Sequence, residues 1–386
     1  MERKKPILLR FFVAFTVLQI ISYFLNSDQY LQLSGMYIFL FGAIAVGAVF
    51  CFLKIFKTPL NMYHFVILML FVCMLISIIA NISANERGYV LSYILLIFMT
   101  LLFSFLELDE KDLKKIYIAY IILSVVISVL IIVFQKRFYA EESNRLTIQI
   151  GENPFIDPNY LGACMVGPAF LSLQMAIEDK GRKLFKWLIT ALICVGIFLT
   201  GSRGALVALA VGVFVILCPK VLKRLNLKRI LIILGVIIAA VIVALSIIPA
   251  EYLERMLDIN NWMDSSNMRR LALWENAVDM IIKRPLLGYG LGNTATNLGS
   301  SAHNTYLEIC AHIGMVGGLL FIATLLVLIF KKGNIYMKAL AASTATWAIF
   351  ISSETTLYLW LNISLCIAVD VLEKKRRKEE CIKPSV

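Results

Sequence analysis

Long runs of apolar residues, broken by short charged links, dominate the chain. A membrane-spanning helix needs roughly 17–25 mostly apolar residues. Segments of that kind lie near 7–25, 33–53, 63–83, 89–106, 116–134 and 158–177. Six more follow near 187–201, 204–218, 229–249, 304–330, 338–352 and 355–372. The pattern predicts an all-α polytopic membrane protein of about twelve transmembrane helices, with residues 1–386 forming one integral membrane domain. Two links are too long for simple turns: Gln135 to Pro158, and an extracytoplasmic loop over 250–302. Within the second, Asp264-Ser265-Ser266 is an N-cap cluster. Met268, Leu271, Trp274, Val278 and Ile281 then recur at helical spacing until Pro285, which predicts an amphipathic helix on the outer membrane face.

Composition agrees with the pattern. Residues of apolar type make up 60 % of the chain and charged residues only 16 %, with a mean hydropathy of +0.84. Soluble domains carry about 45–50 % and about 25 % respectively, so a soluble fold and a disordered chain are both excluded. Of the eight cysteines, seven lie in apolar segments and show no metal-ligand spacing. Arg3, Lys4 and Lys5 precede an apolar run long enough to span and without a cleavage site, which predicts a retained first helix rather than a signal peptide.

The net charge of +12 is first a topological quantity. With the N-terminus in the cytoplasm, 27 of the 37 lysines and arginines fall on the inner side, including the basic tail over 373–386. No nucleic-acid partner is needed to account for it. The ten outer cations are Arg87, Lys136, Arg137, Arg145, Arg203, Arg255, Arg269, Arg270, Lys283 and Arg284. Eight are arginine, whereas the inner set is mostly lysine. Arginine suits planar, bidentate contact with phosphate or carboxylate, so the outer set predicts a site for a phosphorylated ligand.

Arg203, in Thr200-Gly201-Ser202-Arg203-Gly204, sits close to the hydrocarbon, where a charge is costly without a purpose. Of the three histidines, His64 falls at an inner link and has no assigned role. His303 stands where the long outer loop enters the tenth span, a suitable place for a general base. Gly288-Tyr289-Gly290-Leu291-Gly292 is not a dinucleotide fingerprint, because no strand or βαβ unit surrounds it; it predicts a flexible turn. Gly314 and Gly318 predict close helix packing. The outer carboxylates suggest no metal site.

Taken together, Ser202-Arg203-Gly204, the Arg270-x₃-Trp274 helix ending in Pro285-Leu286-x-Gly288-x-Gly290-x-Gly292, and His303-Asn304-x-Tyr306-Leu307 resemble the O-antigen ligase/polymerase family of bacterial membrane glycosyltransferases. Asp157-Pro158-Asn159 has a familial look as well. These motifs span about 157–320. One departure is His312, where family members often have glutamate.

The resemblance implies a GT-C-like fold in the bacterial cytoplasmic membrane, with both termini cytoplasmic and the site facing outward. It implies transfer of glycan from a polyprenyl-diphosphate-linked oligosaccharide to a hydroxyl of an acceptor glycan or lipid, without cofactor or metal. His303 would be the catalytic base. Arg203, Arg270 and Arg269 would bind the diphosphate, and Ser202, Asn304, Trp274, Asp157 and Asn159 would support them. A competing reading, suggested by twelve spans, is a transporter or flippase of lipid-linked sugars; the absence of repeated halves and the clustering of motifs at the outer surface speak against it.

Overall fold

The computed structural model describes residues 7–22, 35–54, 61–106, 108–137, 145–148, 156–178, 181–222, 265–293, 297 and 299–382. Helices form at eleven of the twelve apolar segments. They are α1 (Ile7–Ser22), α2 (Gly35–Lys54), α3 (Met62–Ala80), α4 (Arg87–Phe105), α5 (Glu110–Phe134), α6 (Pro158–Glu178), α7 (Lys183–Leu199) and α8 (Arg203–Leu222). After α9 (Ser265–Lys283) come α10 (Thr305–Phe330), α11 (Ile335–Trp347) and α12 (Leu357–Ile382). The predicted ninth span, 229–249, and the first part of the long outer loop lie outside the described residues. Apart from a two-residue antiparallel ladder between β1 (Lys136–Arg137) and β2 (Leu146–Thr147), the described fold is all-α. Five of the helices, α3, α4, α5, α6 and α10, are long and apolar enough to cross a membrane.

The core is built around α11 and α12. Nearly every residue of α12 from Leu357 to Asp370 is buried, and α11 packs against α6, α8, α10 and α12. α11 has thirteen residues, about 20 Å of helix, short of the roughly 30 Å hydrocarbon thickness. The turn that follows it, over 348–356, is therefore held inside the bundle. Two of its carbonyls are met by Thr305: Thr305 N–H donates to the Ala348 carbonyl at 2.9 Å, and Thr305 Oγ1 donates to the Ile351 carbonyl at 2.7 Å.

Charged links segregate to two ends, as alternating spans require. At one end Lys331 and Lys374 close on Asp370 at 3.1 and 2.9 Å, and Arg376 reaches Glu110 at 2.6 Å. His64 also belongs here. It is buried in the first turn of α3, exchanges capping hydrogen bonds with Asn61, and stacks on Phe105 at 3.7 Å. The opposite end carries the α3–α4 turn, Arg284, the glycine-rich turn and His303. The described cysteines Cys73, Cys164, Cys194, Cys218, Cys310 and Cys366 are free.

α9 forms where the sequence predicts an amphipathic helix. Leu273, Ala277 and Met280 form the face buried against the protein. Met268, Leu271 and Val278, from the stripe read in the sequence, are 43–49 % exposed. A helix lying on a membrane has apolar company on two sides, so periodicity alone does not say which stripe packs on protein.

Candidate functional site

The site is organised by the first turn of α10. Asn304 is its N-cap, and Asn304 Oδ1 accepts the N–H groups of Tyr306 and Leu307 at 3.0 and 3.2 Å. Tyr306 Oη donates to the Ala345 carbonyl at 2.7 Å, tying the turn to α11. Just upstream, the backbone of Ala302 is held at both polar groups. Trp274 Nε1 of α9 donates to its carbonyl at 2.9 Å, and its N–H donates to Glu308 Oε1 at 2.5 Å.

Between these two fixed points His303 adopts φ +50°, the left-handed region, which costs a non-glycine residue roughly 1–2 kcal/mol. The anchors on Ala302 and Asn304 hold that conformation. His303 Nδ1 is buried and has no hydrogen-bond partner among the described residues. Burial pushes the His303 pKa below its ordinary value, and the positive field of Arg270 lowers it further; Asp157 and Glu308 act in the opposite direction, and Arg269 adds a smaller lowering. His303, Arg270, Arg269 and Asp157 are thus electrostatic neighbours, although Asp157 and His303 are far apart in sequence. Burial and the nearby guanidinium groups bias the imidazole towards its neutral form.

On the other side of Asp157 lies the start of α8. Asn159 N–H donates to Asp157 Oδ1 at 2.7 Å, while Asn159 Oδ1 accepts from Ser202 Oγ at 3.1 Å and Arg145 at 2.8 Å. Arg145 also reaches the Thr200 carbonyl at 3.3 Å and lies 3.8 Å from Asp157. Ser202 Oγ in turn accepts the Ala205 N–H at 3.4 Å, which caps α8 and sets Arg203 in its first turn. Gly204 packs so closely on Phe350 of the 348–356 turn that a Cβ would come within 2.8 Å of it.

Ser202, Asn159 and Asp157 therefore form one chain of contacts leading towards His303, and Trp274 and Asn304 fix the backbone on either side of it. Arg203 shares that framework through Ser202 and Gly204. Two outer arginines have structural work instead: Arg145 as above, and Arg284, which donates to Asn81 Oδ1 at 3.2 Å and covers the Tyr289 ring.

The glycine-rich turn is not a loose hinge. Gly314 interrupts α10 with φ +82° and ψ 168°, a conformation essentially confined to glycine. The break frees carbonyls, and the turn fills them. Tyr289 N–H donates to the Ala311 carbonyl at 2.8 Å and Gly290 N–H to that of His312 at 3.2 Å, while Met315 N–H donates to Pro285 O at 2.7 Å. Gly288, at φ +65°, lies against the same backbone, where a Cβ would meet the His312 carbonyl at 2.4 Å. From its far side the turn is gripped by Asn85 and Glu86, which bond the Leu291 N–H and carbonyl at 2.9 Å each.

A further polar group, absent from the sequence expectations except for His312, lies below His303. Glu308, His312 and Glu354 are all buried, and their ligand-type atoms lie within 4.8 Å of one another. The signal for two of them is present in the sequence: Glu308 and His312 stand four apart, on one face of an otherwise apolar helix. Glu354 comes from a distant turn that only the fold brings near.

Among known proteins, no curated sequence matches the chain. The O-antigen ligase family profile matches residues 188–322. That stretch contains Ser202, Arg203, Arg269, Arg270, Trp274, His303 and Asn304, and leaves Asp157, Asn159 and Glu354 outside. Over residues 188–322 the chain is thus similar to the O-antigen ligase family, which supports an O-antigen ligase/polymerase assignment.

Proposed function

We propose that the protein transfers a glycan from a polyprenyl-diphosphate carrier to an acceptor hydroxyl on the outer face of the cytoplasmic membrane, in building surface polysaccharide. The observation that carries this reading is His303, a backbone-anchored imidazole whose buried Nδ1 has no hydrogen-bond partner among the described residues and whose electrostatic neighbour is Arg270. A neutral imidazole takes up a proton; nearby guanidinium groups attract a diphosphate.

In this mechanism the acceptor hydroxyl gives its proton to His303 as its oxygen attacks the anomeric carbon. The bond from that carbon to the diphosphate oxygen breaks with the electron pair leaving on the phosphate. Arg270 and Arg203, with Arg269 beside them, stabilise the charge that develops there. Attack opposite to the leaving group inverts the anomeric centre. Trp274, Asn304, Ser202, Asp157 and Asn159 support the geometry and need not touch the reacting atoms.

Orientation follows from charge: the end bearing Lys331, Lys374 and Arg376 faces the cytoplasm and the His303 end faces outward. Cysteine-accessibility labelling at each end tests it.

The decisive experiment gives the purified protein, in detergent and without any ion gradient, a lipid-linked oligosaccharide and an acceptor. Product formation that is lost in His303→Ala while donor binding persists supports transfer. Donor flipping in vesicles without any product identifies a transporter and overturns the proposal. In a deletion strain, accumulated single repeat units identify a polymerase and accumulated long chains on the carrier identify a ligase.

A further inference from the structure

Glu308 and His312 of α10 meet Glu354 of the 348–356 turn at a point sealed from solvent, their exposures being 1 %, 0 % and 1 %. Two carboxylates at that depth are costly unless a positive charge joins them. His312 Nε2 lies 3.4 Å from Glu308 Oε2. That is long for a charge-assisted hydrogen bond, about 2.7–2.9 Å. It matches the separation of about 3.4 Å between two ligands of a tetrahedral ion bound at about 2.0–2.1 Å.

The atoms pointing away from this centre are already held. Tyr93 Oη sits 3.3 Å from His312 Nδ1, and Glu308 Oε1 accepts from Ala302 N–H and from Ser352 Oγ at 3.0 Å. Such outer contacts are what orient metal ligands and fix the imidazole tautomer. The third member supplies an independent sign: Glu354 Oε2 is buried with no hydrogen-bond partner among the described residues. Carboxylates combined with an imidazole favour a first-row transition ion over Mg²⁺ or Ca²⁺.

We propose that Glu308, His312 and Glu354 bind one divalent first-row transition ion of the Zn²⁺ or Mn²⁺ class as a structural centre. The ion fastens α10 to the turn before α12. It does not contact the reacting atoms, and it acts on the transfer site only through Glu308, which also fixes Ala302 next to His303. The site does not depend on the glycan-transfer reading, since metal content is measured without substrate.

The test uses the full-length protein purified in detergent from medium containing trace metals. Elemental analysis should find about one zinc or manganese per chain, falling to trace in Glu354→Gln with an unchanged size-exclusion profile. Co²⁺ added to the metal-stripped wild type should give visible ligand-field bands that Glu354→Gln lacks. Because either variant or stripping can impair folding, thermal unfolding of the untouched wild type is followed as well: Zn²⁺ should raise its midpoint and a strong chelator lower it. A folded wild type that binds none of Zn²⁺, Mn²⁺ or Co²⁺ overturns the proposal and leaves a shared proton as the neutralising charge. So does Glu354→Gln retaining a full complement of metal. Loss of glycan transfer with metal content intact would count against the transfer reading alone.

Discussion

The two ends of the bundle use ionisable residues in opposite ways. At the end of Lys331, Lys374 and Arg376, cations close directly on carboxylates, and the chemistry is consumed in holding helices together. At the His303 end much of the holding is done by backbone: the Ala302 peptide, the Asn304 cap and the carbonyls opened at Gly314. His303 is left with a buried nitrogen that has no partner among the described residues, in the field of Arg270. Closed ion pairs serve structure, whereas the field around His303 serves the proposed chemistry. The lesson is that net charge says little until each charge is assigned to one of these uses.

The comparison breaks most sharply at His303. His303→Ala should lower transfer by about 10²–10⁴-fold with donor binding retained; wild-type turnover would remove this end's claim to chemistry. Arg270→Gln comes next, with about 1.5–3 kcal/mol of donor affinity lost and a displaced pH profile. The base works when neutral, and its pKa lies below the ordinary value, so wild-type activity should persist into mild acid and fall as pH drops through the lowered pKa. Removing the Arg270 field raises that pKa, and the acidic limb should move to higher pH. An unmoved limb would show that Arg270 does not act on His303.

Backbone anchors should then report on stability. Gly314→Ala forces a left-handed φ on alanine and drives a Cβ towards the Leu286 carbonyl, at 2.1 Å. The backbone strain alone is about 1–3 kcal/mol, read as a lower unfolding midpoint in detergent. Trp274→Phe removes one hydrogen bond to Ala302, about 0.5–1.5 kcal/mol, and should reduce turnover more than donor affinity. At the opposite end, Arg376→Ala breaks an exposed pair, with side chains 47 % and 68 % exposed; it should change stability by about 0–1 kcal/mol and transfer not at all.

Much of this was legible in the sequence, because a bilayer demands apolar runs of fixed length and the chain obeys. Helices form where those runs lie, down to α9 between its serines and Pro285. In the structure Trp274 and Asn304 fix the backbone on either side of His303, and Arg270 is its electrostatic neighbour. What failed shares a cause: non-local packing. Gly288–Gly292 reads as flexible until the opened carbonyls of α10 are seen to receive it. Glu354 has no sequence relation to Glu308 and His312, and only the inward turn after the short α11 joins them.

The splice between the glycine-rich turn and α10 also bears on how such a chain can change over evolutionary time. Main-chain groups of Pro285, Tyr289 and Gly290 are matched one to one with those of Ala311, His312 and Met315. Most side chains on this stretch are therefore free to drift, but its length is not: one residue added or removed between Pro285 and Gly290 would offset every pairing.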